Sequence, residues 1–246
     1  MRLTNEQDAF GHAARDHYLG KLAYEIIERS DGHFAISGGP AMYLSEYASW
    51  RPHEKAALKH ARGTVLDIGC NAGRHALHLQ HEGLDVVGVD ISPLAIETAR
   101  LRGLAKAEVL SITELSGKLG IFDTILMLGN NFGLFGSAAR TRSLLRRFKG
   151  FTHPGSMLIA ETLNVYKTDD PDHLSYLAEN RKRGRMSGQI RMRGRYRRFV
   201  TPWFDYLMVS PQEMEALVAG TGWQIKKYYN AEGWWPVYAA IIERVV

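Results

Sequence analysis

Residues 64–90 constrain this chain more than any other stretch. Thr64-Val65-Leu66-Asp67-Ile68 is a short apolar run bounded by glycines, as a buried parallel strand should be. Gly69-Cys70-Asn71-Ala72-Gly73 follows, and its glycines allow a sharp turn and close approach to a ligand. Ala76, Leu77 and Leu79 then give His75 to His81 an apolar face for packing on a sheet, with Gly83 placed for the helix end. Val86 to Val89 is a second buried strand, and Asp90 stands at its carboxyl end. Strand, glycine turn, helix, strand and terminal carboxylate make one nucleotide-binding half of an open α/β sheet. The helix N-terminus points backbone N–H groups over the turn, and the carboxylate is placed to accept both hydroxyls of a ribose.

A dinucleotide site has the same parts, but its fingerprint is G-x-G-x-x-G, built for a pyrophosphate. Here the turn is Gly69-x-Asn71-x-Gly73 with Asp67 just before it, and no phosphate-binding lysine follows. The pattern resembles the first motif of class I S-adenosylmethionine-dependent methyltransferases, an acidic residue followed by G-x-G-x-G. Asn71 stands where that family commonly has its middle glycine, and asparagine tolerates the left-handed backbone such a turn needs. The resemblance covers about Gly63 to Glu161 by motif and Thr221 to Val246 by architecture alone.

It implies an α/β fold with a Rossmann-like open sheet of about seven mostly parallel strands, the last antiparallel. An N-terminal helical cap and an inserted β element after strand 5 complete it. Its parts are a cap over residues 1–62, a cofactor-binding core over 63–163, an inserted basic substrate or partner element over 164–211, and a closing helix and strand pair over 212–246, in a single domain overall. The 246 residues are 45% hydrophobic and 23% charged, enough for one sizeable core. No apolar run reaches membrane-spanning length, and Met1 to Tyr18 has no signal-like apolar region. Cys70 is the only cysteine, which excludes an internal disulfide and fits a reducing cytoplasm.

Within this plan, helices are expected over Asn5 to Ser30, Met42 to Trp50, His53 to Ala61, Ser92 to Arg102, Arg140 to Phe151 and Ser210 to Gly220. Further strands are expected over Val109 to Ile112, Phe122 to Leu128, Ser156 to Thr162, Trp223 to Tyr229 and Val237 to Arg244. A hairpin is expected within Gly188 to Asp205. Arg181 to Arg198 holds nine basic residues and no acidic one, so the rest of a chain of net charge +5 is negative. That segment is expected beside the carboxyl edge of the sheet, near the acceptor site, and outside the central sheet.

Carried over residue by residue, the resemblance gives Asp67, Gly69, Cys70, Asn71 and Gly73 the methionine end of S-adenosylmethionine, with S-adenosylhomocysteine as product. Asp90 takes the ribose, and Ile91 packs on the adenine. Ser111 and Ile112 stand at the adenine edge, where the family often has an aspartate and an apolar neighbour. Leu128, Gly129 and Asn130 flank the sulfonium with Asn131. Transfer is an in-line displacement from an activated donor, so positioning supplies most of the catalysis. Asn131 and Tyr43 are the candidate catalytic residues. Tyr43, Tyr47 and Trp50 fall at helical spacing and read first as a packed stripe. His12, His17 and His33 are scattered, and no metal site is expected. The expected acceptor is a small molecule, with an acidic one among the options, methylated on N or O. The alternatives are a nucleic acid held by the basic segment and a non-catalytic S-adenosylmethionine-binding protein. No membrane partner is expected, and the sequence sets no oligomeric state.

Overall fold

The computed structural model describes residues 2–233 and 236–245. In chain order its elements are α1 (Ala9–Tyr18), β1 (Glu25–Arg29), β2 (Phe34–Ser37), α2 (Gly39–Tyr43), α3 (Pro52–Leu58), β3 (Thr64–Ile68), α4 (Arg74–His81), β4 (Asp85–Asp90), α5 (Pro93–Leu101), β5 (Lys106–Val109), β6 (Phe122–Met127), α6 (Ala138–Phe148), β7 (Thr152–Leu163), α7 (Pro171–Lys182), β8 (Gln189–Tyr196), β9 (Phe199–Val200), β10 (Phe204–Leu207), α8 (Pro211–Val218), β11 (Trp223–Asn230) and β12 (Val237–Arg244). The larger sheet has the order β11-β12-β7-β6-β3-β4-β5. β12, the last strand, runs antiparallel to both of its neighbours, whereas the β3–β4, β4–β5 and β6–β7 pairs are parallel. This is the Rossmann-like sheet the sequence implies. A second sheet has the order β10-β8-β1-β2, with β9 paired to β8. Among the described residues no helix is long and apolar enough to cross a membrane.

The chain divides into two compact units. The first comprises the chain up to Trp50, Arg62–Leu115 and Met192–Phe204. In it, Val65, Leu66, Ile68, Val86 and Val89 fill the sheet, and α4 and α5 bury Ala76, Leu77, Leu79, Ala95, Ile96 and Ala99. Asp8 is buried and serves two helices. One carboxylate oxygen accepts the Gly11 N–H at the start of α1, and the other accepts the Leu94 N–H in the first turn of α5.

The second unit comprises Arg51–Ala61, Ser116–Arg191 and the chain from Asp205 onward. The apolar side chains of β6, β7 and β12 build its core, extended by a chain of rings, Phe132, Phe135, Phe148 and Phe151, with successive centroids 5.0, 5.9 and 5.2 Å apart. Thr141, Leu144, Leu145 and Phe148 form the buried stripe of α6. The Trp223 indole N–H donates to the Leu145 carbonyl at 2.8 Å.

Several boundaries differ from the sequence expectation, for local reasons. α1 stops at Tyr18, before Gly20 at φ 76°, and the β-branched pair Ile26 and Ile27 lies in β1 rather than on a continued helix. The Met42–Trp50 helix is replaced by the end of α2 and a 3-10 turn at Tyr47–Ser49. Ser45 and Ser49 hydroxyls bind the Met42 and Glu46 carbonyls there, competing with the helical ladder. β5 lies three residues before its expected start, because Ser111 turns to bond Thr113 and Glu114. α7 was not expected at all, although Asp170 caps it and Pro171 opens it. Its weakness as a signal is physical: only Leu177 and Asn180 are buried along it.

In the turn after β6, a Cβ on Gly133 would fall inside the Tyr206 ring, whose hydroxyl is anchored on the Asn130 carbonyl at 2.6 Å. Gly133→Ala should therefore destabilise the protein by about 1–3 kcal/mol, read as a lower urea midpoint with an unchanged slope. An unchanged midpoint would mean that the ring moves freely.

Candidate functional site

The turn between β3 and α4 is left-handed at three places: Gly69 at φ 73°, Asn71 at φ 46° and Gly73 at φ 80°. Asparagine thus fills the middle position in the conformation it tolerates best among larger residues. The Gly69 and Cys70 N–H groups both donate to the Val89 carbonyl, at 2.8 and 3.1 Å, so the turn is laid against the end of β4. A side chain at Gly88 would collide with Cys70 Sγ and Leu104, which explains the glycine in mid-strand.

Two carboxylates border the turn. Asp90 accepts the Asn71 N–H on one oxygen at 3.0 Å and the Ser92 N–H on the other at 2.9 Å. Burial outweighs these bonds and lifts its pKa to about 6. A carboxylate has about four acceptor positions, so two remain for a ligand's hydroxyls. Asp67 is more confined. Its Oδ2 is buried without a hydrogen-bond partner, and burial, with the charge of Asp90, lifts its pKa to about 7. Burial also pushes the Cys70 thiol well above its ordinary range, the reverse of what a nucleophile needs. Ile91 is partly exposed beside Asp90, and Ile112 is buried next to Ser111. Two under-bonded carboxylates, Asp67 buried and Asp90 half-buried, around a cradle of backbone N–H groups suit a ligand with hydroxyl donors and positive charge.

In the second unit Leu128 is buried, and Gly129 and Asn130 are both left-handed at φ 69°. A non-glycine residue held there costs about 1–2 kcal/mol, and such strain collects at functional turns. Asn130 Oδ1 is buried without a partner. Asn131 opens the 3-10 turn that follows.

Comparison with known proteins fits this geometry. A profile described as a methyltransferase domain matches residues 65–155. The structure superimposes on a crystal structure of an S-adenosylmethionine-dependent methyltransferase from Bacteroides fragilis, in complex with S-adenosyl-L-homocysteine, with a TM-score of 0.83 and 27% identity over 100% of this chain and 98% of that one. Residues 65–155 thus match a methyltransferase domain, and the whole chain shares its fold with an S-adenosylmethionine-dependent methyltransferase. Among its relatives are a glycine/sarcosine/dimethylglycine N-methyltransferase of Actinopolyspora halophila, 32% identical over 63% of this chain and 28% of that protein, and a ubiquinone biosynthesis O-methyltransferase of Xanthomonas oryzae pv. oryzae, 30% identical over 44% and 46%. The match thus spans less than half the length of each of these two relatives.

Outside the motif, the structure differs from the sequence reading in two ways. Tyr43, Tyr47 and Trp50 do not share a helix. The Tyr43 hydroxyl donates to buried Glu25 at 3.1 Å, Tyr47 stacks on His78 at 4.3 Å, and Trp50 is buried edge-on to both His75 and His78. Glu25, which the sequence reading missed, also accepts the Ser37 hydroxyl, and burial raises its pKa to about 7. A lone glutamate at the start of a strand gives no sequence signal.

The basic segment is the second difference. It lies on α7 and the second sheet, outside the central sheet as expected, yet much of its charge is answered by acids from elsewhere. Arg193 grips Glu28 with two hydrogen bonds of 2.7 and 3.0 Å, and Arg195 bonds the same carboxylate. Arg197 pairs with Asp16, Arg191 with Asp205, and Arg183 and Lys182 with Glu179. The two guanidiniums hold the Glu28 pKa down at about 2. His12, one of the scattered histidines, stacks on Phe199 with centroids 3.5 Å apart.

The raised pKa of Asp67 has a stability consequence. The folded state favours its neutral form, so that contribution is full below the ordinary carboxylate pKa and is lost as pH rises through about 7. Asp67→Asn is neutral throughout. Its melting temperature in ligand-free buffer, relative to wild type, should therefore rise steadily from pH 4 to pH 8. A flat difference would show that the carboxylate is not strained by burial.

Proposed function

We propose that the protein transfers the methyl group of S-adenosylmethionine to a small-molecule acceptor, on nitrogen or oxygen, by in-line displacement. The observation that carries this reading is the pair of under-bonded carboxylates at one left-handed turn. Asp90 still has acceptor capacity beside its two backbone bonds, and Asp67 has an oxygen with no partner. When bound, the co-substrate supplies an activated methyl on a positively charged sulfur. Asp90 holds the ribose hydroxyls, and the N–H groups and carboxylate around Asn71 and Asp67 receive the methionine end. Ser111 and Ile112 border the adenine, as Ile91 does. Leu128, Gly129, Asn130 and Asn131 carry over from the family as residues beside the donor. Relatives named for glycine, sarcosine and dimethylglycine, and for ubiquinone biosynthesis, support a small acceptor.

The glycine turn stands against a dinucleotide, and the ion pairs of Arg191, Arg193, Arg195 and Arg197 stand against a phosphate-tracking strip. Calorimetry should show S-adenosylhomocysteine binding and no comparable binding of NAD. Asp90→Ala loses two charge-assisted hydrogen bonds worth about 1.5–3 kcal/mol each, so affinity should fall at least about tenfold in a folded variant. Wild-type affinity should also weaken as pH drops through about 6, where the Asp90 carboxylate of the free protein takes up a proton. Equal affinity of wild type and Asp90→Ala would place the ribose elsewhere.

A further inference from the structure

Near the carboxyl ends of β6 and β7 the second unit buries more polar atoms than it satisfies. Neither ring nitrogen of His53 makes a hydrogen bond, and Asn130 Oδ1 makes none either. Unpartnered buried polar groups are costly and rare in native proteins. His53 sits in the first turn of α3, behind Pro52, and α3 packs on β11 and β12. Glu161 lies near the end of β7, opposite Ala239 of β12. The two side chains are 2% and 10% exposed, with His53 Nε2 3.5 Å from Glu161 Oε2. That is too long for a hydrogen bond and close enough for an ion pair once the ring gains a proton. Hydrogen bonds between a base and the group that orients it are often long until substrate arrives.

The pair is tied to the strained turn. Burial, together with the charge of Glu161, raises the Tyr206 hydroxyl well above its usual pKa, so Tyr206 stays a donor. It donates to the carbonyl of Asn130, whose own side-chain oxygen is one of the unpartnered atoms. Among the described residues, Glu161 from β7 and Tyr206 from β10 are ionisable groups linked to this cluster.

We propose that His53 is the general base of methyl transfer, with Glu161 as its positioning residue, for an acceptor whose reacting atom is protonated at neutral pH. A phenolic hydroxyl and an ammonium both meet that description, with ordinary pKa values of about 10. This rests on the methyltransferase reading. His53 takes the proton from the acceptor's O–H or N–H, and the freed lone pair bonds to the donor's methyl carbon. The carbon–sulfur bond breaks with its electron pair left on sulfur, which becomes neutral. The proton's charge rests on the imidazolium against Glu161 and then passes to water. No local signal marks His53, because a single histidine beside a proline has no motif around it.

The test uses the full chain saturated with S-adenosylhomocysteine, with labelled histidine followed by NMR and His53 assigned through His53→Gln. Catechol, glycine and sarcosine are the probes, the first for a hydroxyl and the other two for an amine. At least one should shift the His53 signals, and the same compound should release S-adenosylhomocysteine when the donor is supplied. With it, His53→Gln should lower kcat about 10²–10⁴-fold at pH 7, leave the KM for S-adenosylmethionine unchanged and abolish the acid limb of the pH–rate profile. Glu161→Asp should keep more activity than Glu161→Gln. If His53→Gln does not fold, Glu161→Gln carries the test by displacing the acid limb. A loss equal at every pH marks a structural pair and overturns the proposal, as does a His53 signal that no probe moves. In either case retained S-adenosylhomocysteine binding leaves the methyltransferase reading standing, whereas no binding at all removes both.

Discussion

The Asn71 N–H meeting the Asp90 carboxylate at 3.0 Å is the contact on which the first unit's geometry depends. It forms because β3 and β4 are parallel neighbours, which brings the end of one strand beside the turn that leaves the other. The turn in turn needs three residues at positive φ, two of them glycine and one asparagine. A β-branched residue at any of them would be strained, and the N–H groups would no longer converge. Gly88 completes the arrangement by leaving room for Cys70 and Leu104 against mid-strand.

Two opposite electrostatic regimes coexist in the first unit. Around the turn, burial without countercharge holds Asp67 and Asp90 well above ordinary carboxylate pKa values. In the second sheet, Arg193 and Arg195 hold Glu28 far below them. The first pattern leaves capacity for a ligand and belongs to function, since perturbed and under-bonded groups gather at sites. The second is closed on itself and joins β1 to β8, where Arg193 also lies over the Trp203 ring at 4.5 Å. A cluster of arginines in a sequence cannot tell these regimes apart, because the answering acids, Asp16 and Glu28, lie more than a hundred residues away.

The central sheet was legible because its strands are continuous apolar runs and its turn needs special residues. β3, α4, β4, α5, β11 and β12 all lie within a residue or two of where periodicity and caps place them. The N-terminal region was not legible. Ile26 and Ile27 fit either a helix face or a strand, and the pairing of β1 with β8 that decides the matter is a contact between distant segments. Of the site residues, Asp67, Asn71 and Asp90 carry a local signal in their spacing. Glu25, His53 and Glu161 are single polar residues whose meaning comes only from what buries them.

Asp8 gives the first unit a property that no single helix has. One carboxylate caps α1 and also binds the first turn of α5, two residues beyond Ser92, whose N–H is held by Asp90. The loop that carries Asp90 and the docking of α1 therefore draw on a common set of backbone donors. Linkage makes such an arrangement reciprocal: whatever steadies the loop steadies the docked helix by the same free energy, and peeling α1 away loosens the loop equally. Protection of α1 from hydrogen exchange is then an internal gauge of whether the Asp90 loop is filled.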